Sequence, residues 1–311
     1  KMGKNIFDVI VVGGGISGSY LSYKLKNQGL NTLIIEKSKT IGGRLCTKPV
    51  GESFADYGCQ YLDPKTDELK KLISVLGKKS LVKKININEK KSVYISPYGM
   101  NKIPQFLALG VPTLLNTLVD HISYENSLWD VKTNLFSYKC KSIVLTMPIQ
   151  QVKLLIPDSL IIKHDLPKCE YKHFLTATFS HEPRKSKKMI DINPDIPWIC
   201  NNKMKGLLNK YAVSTANFTS EKSLELQKSK FNHRTKKIKD MLEDHGYRQI
   251  NNLSAHYWKY AYSEKQKNLS HIFDGEKKLG ICGDSFSLGK VDGTVISAQL
   301  VYEDLKSAVN Y

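Results

Sequence analysis

An α/β chain with a doubly wound parallel sheet, interrupted by a smaller mixed α+β domain, is what the sequence predicts, and three observations predict it. Phe7-Asp8-Val9-Ile10-Val11-Val12 is a near-continuous β-branched run that stops at Gly13-Gly14-Gly15, as expected for a strand buried on both faces of a parallel sheet. Two runs of the same kind follow, Thr32-Leu33-Ile34-Ile35 and Ser142-Ile143-Val144-Leu145-Thr146, the latter ended by Met147-Pro148. Between about residues 150 and 255 the chain changes character, mixing alternation such as Leu175-Thr176-Ala177-Thr178-Phe179 with lysine-rich turns such as Pro183 to Met189.

After Gly18, the residues Tyr20, Leu21, Tyr23, Lys24 and Leu25 keep a helical period until Gly29, so the chain opens with a βαβ unit. Ile103 to Val119 is uncharged but holds Pro104, Gln105, Pro112 and Asn116, which favours a buried helix and loop over a membrane span. Phe231, Thr235, Ile238 and Leu242 have helical spacing, with Lys236, Lys237 and Lys239 on the solvated faces. Gly280 to Asp284 reads as a buried strand ending in Gly-Asp, and Val291-Asp292-Gly293-Thr294 opens a final helix through Val309. The expected division is a discontinuous cofactor domain (1–75, 97–150 and 255–311) and a substrate domain (76–96 and 151–254).

Composition narrows the function classes. The 311 residues are 41% hydrophobic and 24% charged, enough for a sizeable core and unlike a disordered chain. A net charge of +18 invites nucleic acid as a partner, but only Arg44, Arg184, Arg234 and Arg248 among the 47 basic residues carry the bidentate guanidinium that reads phosphates and bases, so no nucleic-acid partner is expected. Cys46, Cys59, Cys140, Cys169, Cys200 and Cys282 form no C-x-x-C pair, and the glycine turn at Gly13 leaves no room for an apolar leader, so a reduced, cytoplasmic setting is expected. The eight histidines show no H-x-x-x-H spacing, no G-x-S-x-G elbow is present, and no metal is expected.

The chemistry lies in the glycines. Gly13, Gly15 and Gly18 follow a strand and open a helix, the context that gives G-x-G-x-x-G its meaning. Gly13 permits the tight turn, Gly15 lets backbone approach a pyrophosphate, Gly18 lets helix pack on strand, and the helix N-terminus offers N–H donors to the anion. Glu36 ends the second strand 18 residues after Gly18, where a carboxylate accepts from ribose hydroxyls. These residues point to a dinucleotide without separating FAD from NAD.

Gly42-Gly43-Arg44 and Thr47 then resemble the second glycine signature of the flavin amine-oxidase superfamily, although Thr40 stands where that family commonly has another arginine. Asp56-Tyr57-Gly58-Cys59-Gln60-Tyr61 resembles the segment that passes the isoalloxazine ring in the same proteins. Met147-Pro148, Trp258-Lys259-Tyr260 and the spacing from Cys282-Gly283-Asp284 to Asp292-Gly293 narrow the resemblance to renalase-like proteins, densest over residues 6–62 and thin from 150 to 255.

The resemblance implies a doubly wound FAD-binding Rossmann-type domain with an inserted mixed α+β substrate domain. It implies FAD contacts at Gly13, Gly15, Ser17, Gly18, Glu36, Lys37, Gly43, Arg44, Gln60, Tyr61, Asp284, Asp292 and Gly293, and a substrate wall of Tyr61, Trp258, Lys259 and Tyr260. Asp284 and Asp292 have turn or N-cap roles as alternatives, and Trp258 and Tyr260 have ordinary packing. The implied reaction is hydride transfer from a dihydronicotinamide isomer of NAD(P)H to flavin N5, with oxygen as acceptor giving hydrogen peroxide; the flavin is the reactive group, so no catalytic side chain is assigned. A flavin amine oxidase or desaturase-like enzyme is the alternative, and a flavin-free binding protein of the GDP-dissociation-inhibitor type is disfavoured by the intact glycines, Glu36 and Arg44. Nothing calls for covalent flavin attachment through Cys46, Cys59 or Cys282.

Overall fold

The computed structural model describes residues 6–88, 91–185, 188–263, 269–286 and 290–308. Strand Phe7–Val12 lies at the centre of the first sheet, parallel to Thr32–Ile35 on one side and to Ser137–Leu145 on the other. Leu279–Ile281 extends the parallel set beyond Ser137–Leu145, and Thr113–Leu114 extends it beyond Thr32–Ile35. Alternation along the central strand explains its unbroken apolar run: Val9 and Val11 face one core and Ile10 and Val12 the other. The first core is covered by helices Ile16–Asn27 and Lys290–Ala308, through Tyr20, Leu21, Leu25, Val295, Val301 and Leu305. The second is covered by the antiparallel strands Val119–Glu125 and Leu128–Thr133 and by helix Ile149–Leu155. The parallel strands therefore end at one edge, the place where open α/β sheets hold ligands.

A second, antiparallel sheet runs in the order Ile190–Asp191, Trp198–Asn201, Val213–Asn217, Tyr171–Ser180, Asn251–Ser263. Its apolar face, carrying Leu175, Ala177, Phe179, Ile199 and Ala216, packs on helices Ser220–Lys228 and Phe231–Asp244 through Leu226, Ile238 and Leu242. Phe231, expected on that packed stripe, is instead 73% exposed as the first residue of its helix, outside the cluster that Ile238 and Leu242 join. The expected division between residues 254 and 255 falls inside strand Asn251–Ser263, which pairs with Tyr171–Ser180 along its length and so belongs to the second sheet. Hairpin Lys83–Asn88/Lys91–Ile95, expected with the substrate domain, bridges Leu62 through Tyr94 and buries Ile95 in the first core, with Ile85 packed against it. The final helix ends at Ala308 among the described residues, and its expected last residue, Val309, lies outside them. All six cysteines are free. Among the described residues no helix is long and apolar enough to cross a membrane.

Candidate functional site

Two glycine turns meet backbone to backbone at the carboxyl edge of the parallel strands. The Gly42 N–H donates to the Gly14 carbonyl at 2.9 Å, and Gly15 bridges Gly42. Gly13 (φ +108°) and Gly43 (φ +56°) occupy the left-handed region that other residues avoid. A Cβ on Gly18 would lie 2.0 Å from the Gly13 carbonyl oxygen, so this glycine is what lets the helix rest on the turn. Gly15 is different: a Cβ there would meet only the Gly43 Cα, at 3.9 Å, and otherwise open space. The helix beginning at Ile16 has no side-chain cap, so its first N–H groups point outward at that seam.

Glu36, 7% exposed, fixes the turn by accepting from the Gly14 and Ser38 N–H groups, both at 2.7 Å. Each carboxylate oxygen keeps a lone pair for another donor. Beside the seam lies a small pocket of about 70 Å³ whose lining includes Ser38, Thr40, Gly42, Gly43, Tyr57 and Asn101. The Asn101 Oδ1 atom is buried and has no hydrogen-bond partner. Sequence reasoning did not single out Asn101, since an asparagine before a short helix reads as an ordinary cap.

The remaining expected cofactor residues divide by what already holds them. Arg44 and Asp284 form a two-pronged ion pair at 2.5 and 2.6 Å, and the Tyr171 phenol donates to Asp284 at 3.0 Å. Burial, reinforced by the Asp284 charge, pushes the Tyr171 phenol upward, so it stays a proton donor at neutral pH. Ser17 Oγ lies 3.2 Å from Cys282 Sγ, a thiol that burial pushes up to about 12. The Gln60 amide donates to the Asp56 and Gly58 carbonyls and accepts from Lys205 at 3.0 Å. Lys205 in turn pairs with Asp56 at 2.8 Å, with both side chains almost wholly buried. Asp292 accepts from the Thr66 N–H and hydroxyl, fastening the loop before helix Asp67–Lys78, while Gly293 is buried inside the last helix. Lys37 reaches outward to Gln151 at 3.3 Å.

The second sheet turns its other face toward this edge. Trp198 lies opposite Asn217, Asn217 opposite Thr176, and Thr176 opposite His256, so the four share a row; Thr178, Thr215 and Ser254 make the next. The face is joined to the cofactor side by Thr215, whose hydroxyl donates to the Asp56 carbonyl at 2.7 Å, and by Trp258, whose indole N–H donates to the Tyr57 carbonyl at 3.1 Å. The Trp198 indole N–H is buried without a partner. The expected aromatic wall is split among three pairings: Trp258 with Tyr57, Tyr260 with Tyr171, and Tyr61 with Trp198. Lys259 stands where strand Asn251–Ser263 departs from regular pairing, and its ammonium lies 5.4 Å over the Tyr260 ring. His256, which sequence reasoning passed over, lies edge-on to both Tyr57 and Trp258. Packing among those rings and the nearby Lys48 ammonium push its pKa below the ordinary histidine value, leaving it neutral at pH 7.

Residues 11–76 match the family of NAD(P)-binding Rossmann-like domains. The solved structures similar to this chain include cyclohexylamine oxidase from Brevibacterium oxydans, with a TM-score of 0.74, 13% identity and coverage of 99% of this chain and 100% of that one. A protein from an Exiguobacterium species assigned as a protoporphyrinogen oxidase gives a TM-score of 0.76 at 12% identity, covering 98% and 100%. The chain has the fold of these oxidases. Sequence similarity is more local. A flavin-containing amine oxidase of Oncorhynchus mykiss is 36% identical over 89 residues, which are 28% of this chain and 16% of that protein. Putrescine oxidase of Kocuria rosea is 33% identical over 92 residues, 30% of this chain and 19% of its own. The chain thus spans less than a fifth of the length of these relatives.

Proposed function

We propose that the chain is an FAD-dependent oxidoreductase that takes a hydride from a dihydronicotinamide isomer of NAD(P)H, with oxygen as final acceptor and hydrogen peroxide as product. The observation that carries the dinucleotide is the seam between Gly15 and Gly43, free of side chains and faced by uncapped helix N–H groups. The seam, Glu36 and the unpartnered Asn101 carbonyl fit the pyrophosphate, ribose and polar needs of such a ligand. Similarity to flavin-containing amine oxidases supports FAD over NAD as the resident group. FAD held there would supply the two-electron acceptor at N5.

The chain's own part is to bind, orient and exclude. Arg44, held by Asp284, presents its charge beside the second glycine turn, and Lys205 fixes the Gln60 amide within the segment 56–61. On the substrate side, Thr176, Thr178, Trp198, Thr215, Asn217, Ser254, His256 and Trp258 include no acid. Among the described residues a cationic amine finds no counter-charge in these rows, whereas a planar ring with anionic appendages finds aromatic rings and donors. The amine-oxidase reading is kept as a second one because the local similarities are to amine and putrescine oxidases.

The purified protein is expected to show flavin absorption bands, and anaerobic stopped-flow mixing decides between the readings. Isomers of NAD(P)H with the hydride on ring carbon 2 or 6 should bleach the flavin rapidly and the ordinary carbon-4 form slowly, because only the ring position held near N5 reacts fast. Fast bleaching by primary amines alone would favour the second reading. Absence of flavin bands would return the chain to the binding-protein class.

A further inference from the structure

We infer that Lys48, with Tyr57, His256 and Trp258, forms a subsite for a phosphate-bearing, planar-ringed ligand at the junction of the two sheets, and that Lys48 determines substrate specificity. The inference deepens the proposed hydride-transfer reading and rests on it for the identity of the ligand as substrate. Lys48 stands on hairpin strand Thr47–Val50 of the cofactor side, yet its Nζ donates to Ser254 Oγ of the second sheet at 2.6 Å. The same ammonium lies 4.8 Å over the Tyr57 ring. No carboxylate pairs with it among the described residues. Partial burial at this junction pushes its pKa down to about 8.

The aromatic half of the subsite is already stacked. Tyr57 and Trp258 lie 5.5 Å apart with 29° between their planes, and His256 meets Trp258 edge-on at 4.3 Å. Tyr57 also lines the cavity beside the second glycine turn, so the cluster adjoins the cofactor seam. An anion entering here gains a charge-assisted hydrogen bond from Lys48, and its attached ring gains an aromatic surface. A phosphate close to a planar ring is the chemistry that matches both halves, as in a nicotinamide nucleotide.

The test compares nicotinamide mononucleotide with nicotinamide riboside, which keeps the ring and sugar but lacks the phosphate. Binding to the full-length, flavin-loaded protein is read by quenching of tryptophan fluorescence, with Trp258→Phe assigning the signal. Wild type should prefer the mononucleotide by roughly tenfold or more, the worth of one charge-assisted contact. Lys48→Ala should abolish that preference with little change in riboside binding, and Lys48→Arg should restore most of it. A preference unchanged in Lys48→Ala overturns the subsite, as does an equal loss of both ligands in a variant whose unfolding temperature is unaltered. No turnover is needed, so the two readings fail separately. A Lys48-dependent preference without flavin bleaching sinks only the hydride-transfer function, and rapid bleaching with a Lys48-independent preference sinks only the subsite.

Discussion

The glycine seam and the facing side of the second sheet are built from opposite materials. At the seam the contacts are made by backbone: the Gly42 N–H meets the Gly14 carbonyl, and a side chain is excluded at Gly18 and crowded at Gly43. Across the crevice the contacts are made by side chains on strands whose register decides which residues meet. A backbone site constrains residue type tightly, since one Cβ in the wrong place is intolerable. A strand face accepts many polar or aromatic residues and constrains position instead.

The largest expected effect tests that claim with the same added atom at two nearby glycines. Gly18→Ala places a Cβ 2.0 Å from the Gly13 carbonyl oxygen, a backbone contact that no rotamer change relieves. It should cost about 4 kcal/mol or more and fail to yield a stable fold. Gly15→Ala has only an ordinary contact at 3.9 Å and a backbone conformation open to any residue, so it should keep the unfolding temperature of the flavin-free wild type while failing to retain FAD. Equal thermal destabilisation by the two would make Gly15 a structural glycine, and the seam would cease to be a ligand site.

The next effect falls where the two regions are joined. Lys205, from helix Asn202–Lys205, is 1% exposed against Asp56, 0% exposed, on the cofactor-side hairpin. Lys205→Met leaves a buried carboxylate still bonded to Thr47 and Met100 but without its counter-charge, and should cost about 3–5 kcal/mol in denaturant unfolding. Adding Asp56→Asn should recover a substantial part, because the charge left alone is the main cost. A single-variant loss below about 1 kcal/mol would mean that water reaches the pair and that the regions are joined chiefly by the hydrogen bonds of Thr215 and Trp258.

How far the sequence could be read follows from the same contrast. The strands at residues 7–12, 32–35 and 142–145 and the opening helix were legible because each carries a local period or an unbroken apolar run. Gly13, Gly15, Gly18 and Glu36 were legible because their spacing is local to one βαβ unit. The pairing of Arg44 with Asp284 was not, since 240 positions separate them and either could have faced a ligand independently. Lys48 and His256 meet only because strand Asn251–Ser263 crosses to the first hairpin, a long-range placement with no local signature.

The smallest expected effect, a gain in stability, separates a ligand site from a structural contact at Lys48. Burial lowers its folded-state pKa from 10.5 to about 8, so the charged form is disfavoured by folding. Between those values the unfolded chain binds more protons than the folded one, and wild-type stability should rise with pH across that window relative to a variant that cannot titrate. Lys48→Met should therefore unfold a few degrees above wild type at pH 7, by roughly 2–4 °C per kcal/mol, with the gap closing as pH rises from about 8 past 10.5. Differential scanning calorimetry of both proteins across pH 7 to about 10.5 reads this directly. A residue kept for packing would lose stability on substitution at every pH. One kept for an anion destabilises the empty protein and is stabilised when the anion arrives, so nicotinamide mononucleotide should reverse the order of the two unfolding temperatures.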